Sequence, residues 1–157
     1  MFEDSVEGFI DRWRRHAVDG VAFARAEGSP LLEVAVGGAV VQLFERTGPY
    51  DAPTGPVRLI VHAVASAWTI GTSDLPSLSA VSPTRLRIVG TVVEVDGTLA
   101  VVDAGVLLVL GLDPLDDAQP LPSVGDRLAC ESLVPAQAFV LRSSGARRAA
   151  DPVDDQV

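Results

Sequence analysis

The sequence contains the same pattern of apolar strands and glycine turns twice, and this internal similarity constrains the fold more than any other feature. Residues 32–43 align without a gap with residues 99–110. Residues 20–28 precede the first stretch, and residues 90–97 precede the second in the same way. Chance similarity between stretches rich in valine, alanine and glycine is the alternative. The shared order of strand, glycine turn, strand, loop and strand favours duplication.

The similarity continues beyond the loop that follows each stretch. Residues 57–64 match residues 126–133 with the apolar alternation in step, and each copy closes on a short apolar run at 67–70 or 136–141. About five short strands bounded by turn residues are typical of a small barrel or sandwich. Modules of roughly 60 to 70 residues are marginally stable alone. We therefore predict an all-β fold with two tandem five-stranded small barrels that pack together.

The N-terminal segment follows a different pattern. Apolar residues recur there at helical spacing, and acidic residues precede basic ones, which suits the helix dipole. We expect a short amphipathic helix over about residues 4–15. The predicted organisation is an N-terminal helix within 1–15, a first module at 16–71, a Gly/Ser/Pro-containing linker at 72–83, a second module at 84–142 and a disordered tail at 143–157.

The charge composition disfavours polyanionic partners. The chain has 12 basic and 21 acidic residues, a formal net charge of -9, so its long-range field repels phosphate backbones and anionic lipid surfaces. All basic residues are arginine, which suggests a GC-rich bacterial source. One cysteine allows no intrachain disulfide, and no secretory or membrane-spanning segment is visible. We expect a cytoplasmic location and no membrane partner.

The second copy resembles an oligonucleotide/oligosaccharide-binding (OB) fold. Residues 88–95 resemble its long bent first strand, residues 99–103 its second, residues 106–112 its third and residues 124–130 the entry to its fourth. The first copy extends the resemblance, so two tandem OB-like modules are expected. The resemblance implies five-stranded Greek-key barrels, some of which bind single-stranded nucleic acid through stacking aromatics and a basic groove.

The candidate nucleic-acid contacts lie outside the strands that such barrels use. The second and third strands of the second copy contain no aromatic and no basic residue, and those of the first carry only Phe44 and Arg46 at their end. Basic residues gather at three other places: residues 12–15, residues 85–87, and the tail, with Arg142, Arg147 and Arg148. The candidate partner or nucleic-acid contacts are Arg12, Trp13, Arg14, Arg15, Arg85 and Arg87. The alternative is that these arginines balance an acidic surface.

Catalytic and metal-binding patterns are not apparent. His16 and His62 are far apart and lack cysteine partners, and the acidic loop 113–117 lacks the glycine spacing of calcium loops. Cys130 alternates with apolar residues and is predicted to be a small core residue. No nucleophile and base, and no carboxylate pair, form a recognisable set. We predict no catalytic, cofactor-binding or metal-binding residues.

A binding or assembly role is the expectation that remains. The apolar side of the N-terminal helix either caps the first barrel or docks on another chain. Trp68, beside the linker, is a candidate anchor between the modules. We expect a protein partner or self-association, with single-stranded nucleic-acid binding through the arginine clusters as the alternative and a small enzyme as a distant third.

Overall fold

The computed structural model describes residues 5–48, 54–116 and 118–141, and strands dominate them. The described residues form one α-helix, a 3₁₀ turn at Arg14–His16 and eleven strands. The helix is α1 (Val6–Trp13), and the strands are β1 (Val18–Ala22), β2 (Leu31–Val36), β3 (Ala39–Glu45), β4 (Gly55–Ala65), β5 (Trp68–Ile70), β6 (Ser77–Ser82), β7 (Arg85–Asp96), β8 (Leu99–Asp103), β9 (Leu107–Leu112), β10 (Arg127–Glu131) and β11 (Gln137–Val140). The predicted all-β class with a short N-terminal helix is confirmed.

Five strands close into a mixed barrel in the order β1, β2, β3, β11, β4, and β1 completes the ring by pairing with β4. β3 and β11 run parallel, whereas the other neighbours in the ring are antiparallel. Four of these strands come from the first half of the chain, and β11 comes from the second. A barrel begun by the N-terminal half is therefore completed by a C-terminal strand.

The remaining strands continue the same sheet from β4 in the order β9, β8, β7, β10, β5. The end of β4 pairs in parallel with β9, and β5 pairs with β10. Only Ser66 and Ala67 separate β4 from β5, so the chain itself joins the two ends of this second set. The two halves thus exchange strands: residues 16–71 supply the end of β4 and β5 to the second set, and residues 84–142 supply β11 to the barrel.

The segments outside the predicted modules differ in what the structure shows. Residues 72–83, the predicted linker, include the strand β6, which pairs with the first half of β7. The predicted tail, 143–157, lies outside the described residues. The hydrogen bonds between β6 and β7 therefore fix the conformation of residues 77–82 within the predicted linker.

One apolar core runs through both sets of strands. Its fully buried members include Leu43 and Leu59 from the first half and Leu108, Leu110 and Leu128 from the second. The two central hairpin turns also meet, because a Cβ added at Gly37 would lie 2.8 Å from the Cβ of Val106. Gly37 and Gly38 both have positive φ, 57° and 83°, as a two-residue type I′ turn requires.

Two glycines at matching places in the repeat explain how the strands bend. A Cβ on Gly20 of β1 would lie 2.9 Å from the carbonyl oxygen of Ala35, and a Cβ on Gly90 of β7 would collide with the carbonyl oxygen of Asp103. In each half, the absence of a side chain lets the first strand cross close over the second. The sequence alignment had already placed these glycines opposite each other.

The gapless alignment of 32–43 with 99–110 is correct for one pair of strands and wrong for the other. Leu43 of β3 and Leu110 of β9 both lie in the main core, as the alignment requires. Val34 of β2 also lies in that core, but its aligned residue Val101 packs in a second cluster on the outside of the sheet. β2 and β8 are therefore offset by one residue, which reverses the two faces of a strand.

The predicted helix is confirmed and covers the junction of the two halves. Ser5 caps it by accepting a 3.0 Å hydrogen bond from the amide of Gly8. Its apolar side packs against residues of β4, β8, β9 and β11, in a cluster that includes Val6, Phe9, Ile10, Trp13, Ile60, Val101, Val109 and Phe139. The helix therefore covers strands from both halves. In the described part of the chain, no helical segment has the length and apolar character needed to cross a bilayer.

Candidate functional site

The first arginine cluster is engaged with acidic residues of the β7–β8 hairpin. Arg12 pairs with Asp96, and Arg15 pairs with Glu94. His16 contacts the same Glu94 at 2.9 Å between Nε2 and Oε1, and this hydrogen bond lowers the pKa of the Glu94 carboxyl below its usual value of 4.5. These contacts fix the end of the helix to the sheet.

The remaining candidate arginines are also paired. Arg14 lies 3.6 Å from Asp11, Arg85 lies 3.3 Å from Glu131 and Arg87 lies 3.4 Å from Asp74. Arg85 and Arg87 are at the start of β7, whereas Glu94 and Asp96, which hold the first cluster, are at its end. At ~3.3 Å per residue the two clusters are roughly 20 Å apart. The structure does not bring them into one basic patch.

The two tryptophans lie inside the fold. Trp13 is 1% exposed, with its ring centroid 6.5 Å from that of Phe9 and 4.9 Å from the guanidinium carbon of Arg12. A buried ring offers no face for stacking a base. Trp68 is also buried; its indole N–H donates a 2.8 Å hydrogen bond to the carbonyl of Pro120, and its strand pairs with β10. The hydrogen bonds of Trp68 and its ladder partners all involve residues of the second half.

A row of exposed apolar side chains lies on the outer side of β1, β2 and β3, here called the β1–β3 face. Val21 is opposite Ala35, which is opposite Val40, and Leu31 is opposite Phe44. Cross-strand neighbours on one side of a sheet are in contact, so these side chains form a continuous row. The face consists of Val21, Phe23, Leu31, Glu33, Ala35, Val40, Gln42 and Phe44, and four of them are strongly exposed: Val21 at 48%, Phe23 at 41%, Leu31 at 42% and Val40 at 52%.

A groove borders this face on the side of β6. It has a volume of about 320 Å³ and is lined by Glu33, Val40 and Gln42 on one side and by Ala80, Val81 and Pro83 on the other, with Val41 and Ser82. Val81 is itself 47% exposed. Across the described residues, Glu33 has no cationic side chain within ion-pair distance. The groove therefore combines apolar walls with an unpaired carboxylate.

The corresponding surface of the second half is not exposed. Leu99 and Val101 of β8 and Leu107 and Val109 of β9 point to the outside of the sheet, where α1 and the 3₁₀ turn cover them. Among the described residues, the β8–β9 hairpin carries α1 on its outer side, whereas the β2–β3 hairpin carries no helix. This difference singles out the β1–β3 face.

A second concavity of about 680 Å³ lies between the start of α1, the β7–β8 hairpin and the strands β4 and β11. On its floor the ring centroid of His62 is 5.0 Å from that of Phe9, and His62 Nδ1 is 2.9 Å from the carbonyl oxygen of Val109. Burial lowers the pKa of His62 below 6.5, so the ring is neutral and Nδ1 donates to that carbonyl. Among the described residues, no serine, threonine or cysteine side chain is hydrogen-bonded to this histidine.

Cys130 lies inside the fold, and the described acidic side chains form no metal-binding cluster. Cys130 is buried, and burial raises the pKa of its thiol to about 12. Over the described residues, no three His, Cys, Asp or Glu side chains lie close enough to hold a metal ion. The prediction that Cys130 belongs to the core is confirmed.

Sequence reasoning did not single out the β1–β3 face, although a signal was present. Residues 31–36 and 39–44 are apolar on both alternating sides, a pattern typical of strands that are covered on both faces. In the structure one of those sides is exposed. No protein-family model matches the chain, and comparisons with curated proteins and with solved structures give no significant match.

Proposed function

We propose that this protein is a non-enzymatic binding module of OB-like architecture, built from two related halves, that binds a partner protein through the β1–β3 face. The observation that carries the proposal is the row of exposed apolar side chains across three paired strands, Val21, Leu31 and Val40 among them. Contiguous apolar surface rimmed by polar groups is typical of protein interaction sites.

The charges of this face favour protein over nucleic acid. Single-stranded nucleic acid is held by basic grooves with stacking rings, but the β1–β3 face carries the acidic Glu33 and no arginine. The arginine clusters that were candidates for phosphate contact are paired with carboxylates, so binding phosphate would require breaking those pairs. Single-stranded nucleic acid is therefore the second candidate.

The two candidate functions differ in how strongly binding depends on salt. Nucleic-acid binding weakens steeply with salt because neutralised phosphates release counterions, whereas an apolar protein contact changes little. Fluorescence anisotropy with labelled single strands at low and moderate salt tests the second candidate. We expect no binding at either; strong, salt-sensitive binding that is lost in Arg14→Ala and Arg15→Ala would replace our proposal with nucleic-acid binding.

The protein-binding proposal is tested with two matched variants. Val40→Asp places a charge on β3, within the face and beside the groove. Val93→Asp places a charge on β7, outside the face, at a position of similar exposure: Val93 is 41% exposed and Val40 is 52% exposed. Affinity capture from an extract of the source organism should retain partners with the wild type and with Val93→Asp but not with Val40→Asp. Analytical ultracentrifugation of the same three proteins tests self-association. Capture and self-association that are unchanged by Val40→Asp would reject the face as the binding site.

A further inference from the structure

The chain contains its own example of how such a face is covered. α1 lies on the outer side of β8 and β9, with Phe9 and Trp13 packed in one cluster with Val101 and Val109. Its arginines reach beyond the apolar contact to carboxylates of the neighbouring hairpin, as in the pair of Arg15 with Glu94. An amphipathic helix with basic residues at its end thus fits the outer side of one hairpin.

The uncovered hairpin is the structural counterpart of the covered one. Each follows a bent strand with a glycine at the crossing, Gly20 or Gly90, and each buries its inner side in the same core. The outer positions of β3, Val40 and Gln42, correspond to Leu107 and Val109 of β9, beneath the helix. β3 and β9 are thus in step whereas β2 and β8 are offset by one residue, and among the described residues only the β8–β9 hairpin has a helix on its outer side.

We propose that the β1–β3 face receives an amphipathic, basic α-helix of a partner protein, seated along the groove between β3 and β6. This inference rests on the proposed function and specifies the partner's shape and charge. The groove has apolar walls at Val40 and Val81 for the apolar side of a helix. A helix lying in a hydrophobic groove is a recurring mode of peptide recognition.

Charge complementarity predicts that the partner helix is positively charged where it contacts the groove. Glu33 lies within the groove lining and is exposed, and no described cation pairs with it. Glu27, in the loop between β1 and β2, is exposed as well. Beside the covered hairpin, the carboxylates of Glu94 and Asp96 on the adjacent strand β7 pair with Arg15 and Arg12 of the helical segment. We therefore expect arginine or lysine beside the partner's apolar stripe, opposite Glu33.

The probe for the test is a synthetic peptide of residues 5–17 of this chain, which contains the apolar stripe and three arginines. A scrambled peptide of identical composition without helical periodicity is its control. Amide chemical shifts of the isotope-labelled full-length protein report where the peptide binds. We expect saturable shifts on β2, β3 and β6, about tenfold weaker binding to Val40→Asp and unchanged binding to Val93→Asp.

A charge exchange checks the role of Glu33. Glu33→Arg should weaken binding of the peptide, and a peptide with its three arginines replaced by glutamate should recover affinity for that variant. Glu33 is exposed, so the variant is expected to fold as the wild type does. Equal affinity of both peptides for both proteins would overturn the charge assignment.

The remaining outcomes separate the two proposals. Shifts confined to β8 and β9 would mean that the peptide merely exchanges with α1, and an absence of shifts would mean that the face rejects a helix; either overturns this inference. If partner capture still depends on Val40, the proposed function stands and only the helical partner is rejected. If capture is also independent of Val40, both proposals fail.

Discussion

Phe9 of α1 stacks on Phe139 of β11, with ring centroids 4.3 Å apart and ring planes 24° from parallel. The first and last described elements of the chain are thus joined by one aromatic contact. Phe139 lies in β11, the strand that completes the closed barrel by pairing with β3 and β4. The helix therefore packs on the strand that the C-terminal half supplies to the N-terminal barrel.

Replacement of Phe139 by alanine should destabilise the whole fold. Removing a buried phenylalanine side chain costs about 3 to 5 kcal/mol, and here it removes the support of both α1 and β11. Urea denaturation followed by circular dichroism measures the change. Phe23→Ala is the control, because Phe23 is 41% exposed and should cost under about 1 kcal/mol. Equal losses for the two variants would contradict the packing described here.

The buried ion pair of Arg25 and Glu45 gives a second prediction. Arg25 Nη2 lies 2.7 Å from Glu45 Oε1, and Glu45 also accepts a 2.7 Å hydrogen bond from the Thr47 hydroxyl. Arg25→Ala removes the arginine partner of a fully buried carboxylate and should cost about 3 to 5 kcal/mol. The double variant Arg25→Met, Glu45→Leu should be close to neutral, since Leu112 occupies the equivalent buried position in the second half. Chemical denaturation of both variants decides this; a double variant as unstable as Arg25→Ala would refute it.

His62 should make the fold less stable as the pH falls. Burial lowers its folded pKa below 6.5, so the unfolded chain binds the proton first. Its stabilising contribution is complete above about pH 7.5, declines as the pH falls through 6.5 and levels off below the folded pKa. His62→Asn keeps a donor for the Val109 carbonyl and does not titrate.

The comparison is best made by urea denaturation between about pH 8 and pH 5, above the range in which Glu94 titrates. We expect the wild type to lose more stability across this range than His62→Asn. Parallel curves for the two proteins would show that His62 is not held neutral by burial.

Cys130 should be unreactive in the folded protein. With a thiol pKa of about 12 in place of 9.0, it carries about a thousandfold less thiolate at pH 8 than an exposed cysteine does. Labelling with a thiol reagent should therefore be very slow in buffer and complete within minutes in concentrated urea. Rapid labelling of the folded protein would contradict the burial of this strand.

Local sequence patterns predicted the parts of this fold that depend on near neighbours. Helical spacing of Phe9, Ile10 and Trp13 predicted α1, and two-residue alternation with glycine turns predicted the strands. The matching glycines at 20 and 90 marked the two bends. Each of these features follows from backbone geometry and from the burial of one side of a single element, so one stretch of sequence contains the necessary information.

Which strands pair was decided only by the tertiary structure. β5 and β11 are both short apolar runs at the same place in the repeat, and nothing local distinguishes the strand that completes the barrel from the one that pairs with β10. The one-residue offset of Val101, which places it beneath α1, likewise depends on long-range pairing. Because the two halves have similar strands, each strand has two nearly equivalent strands with which it could pair. The pairing that forms is the one that gives the whole core the lowest free energy. In the resulting arrangement, the helix among the described residues lies on β8 and β9 and not on the β1–β3 face.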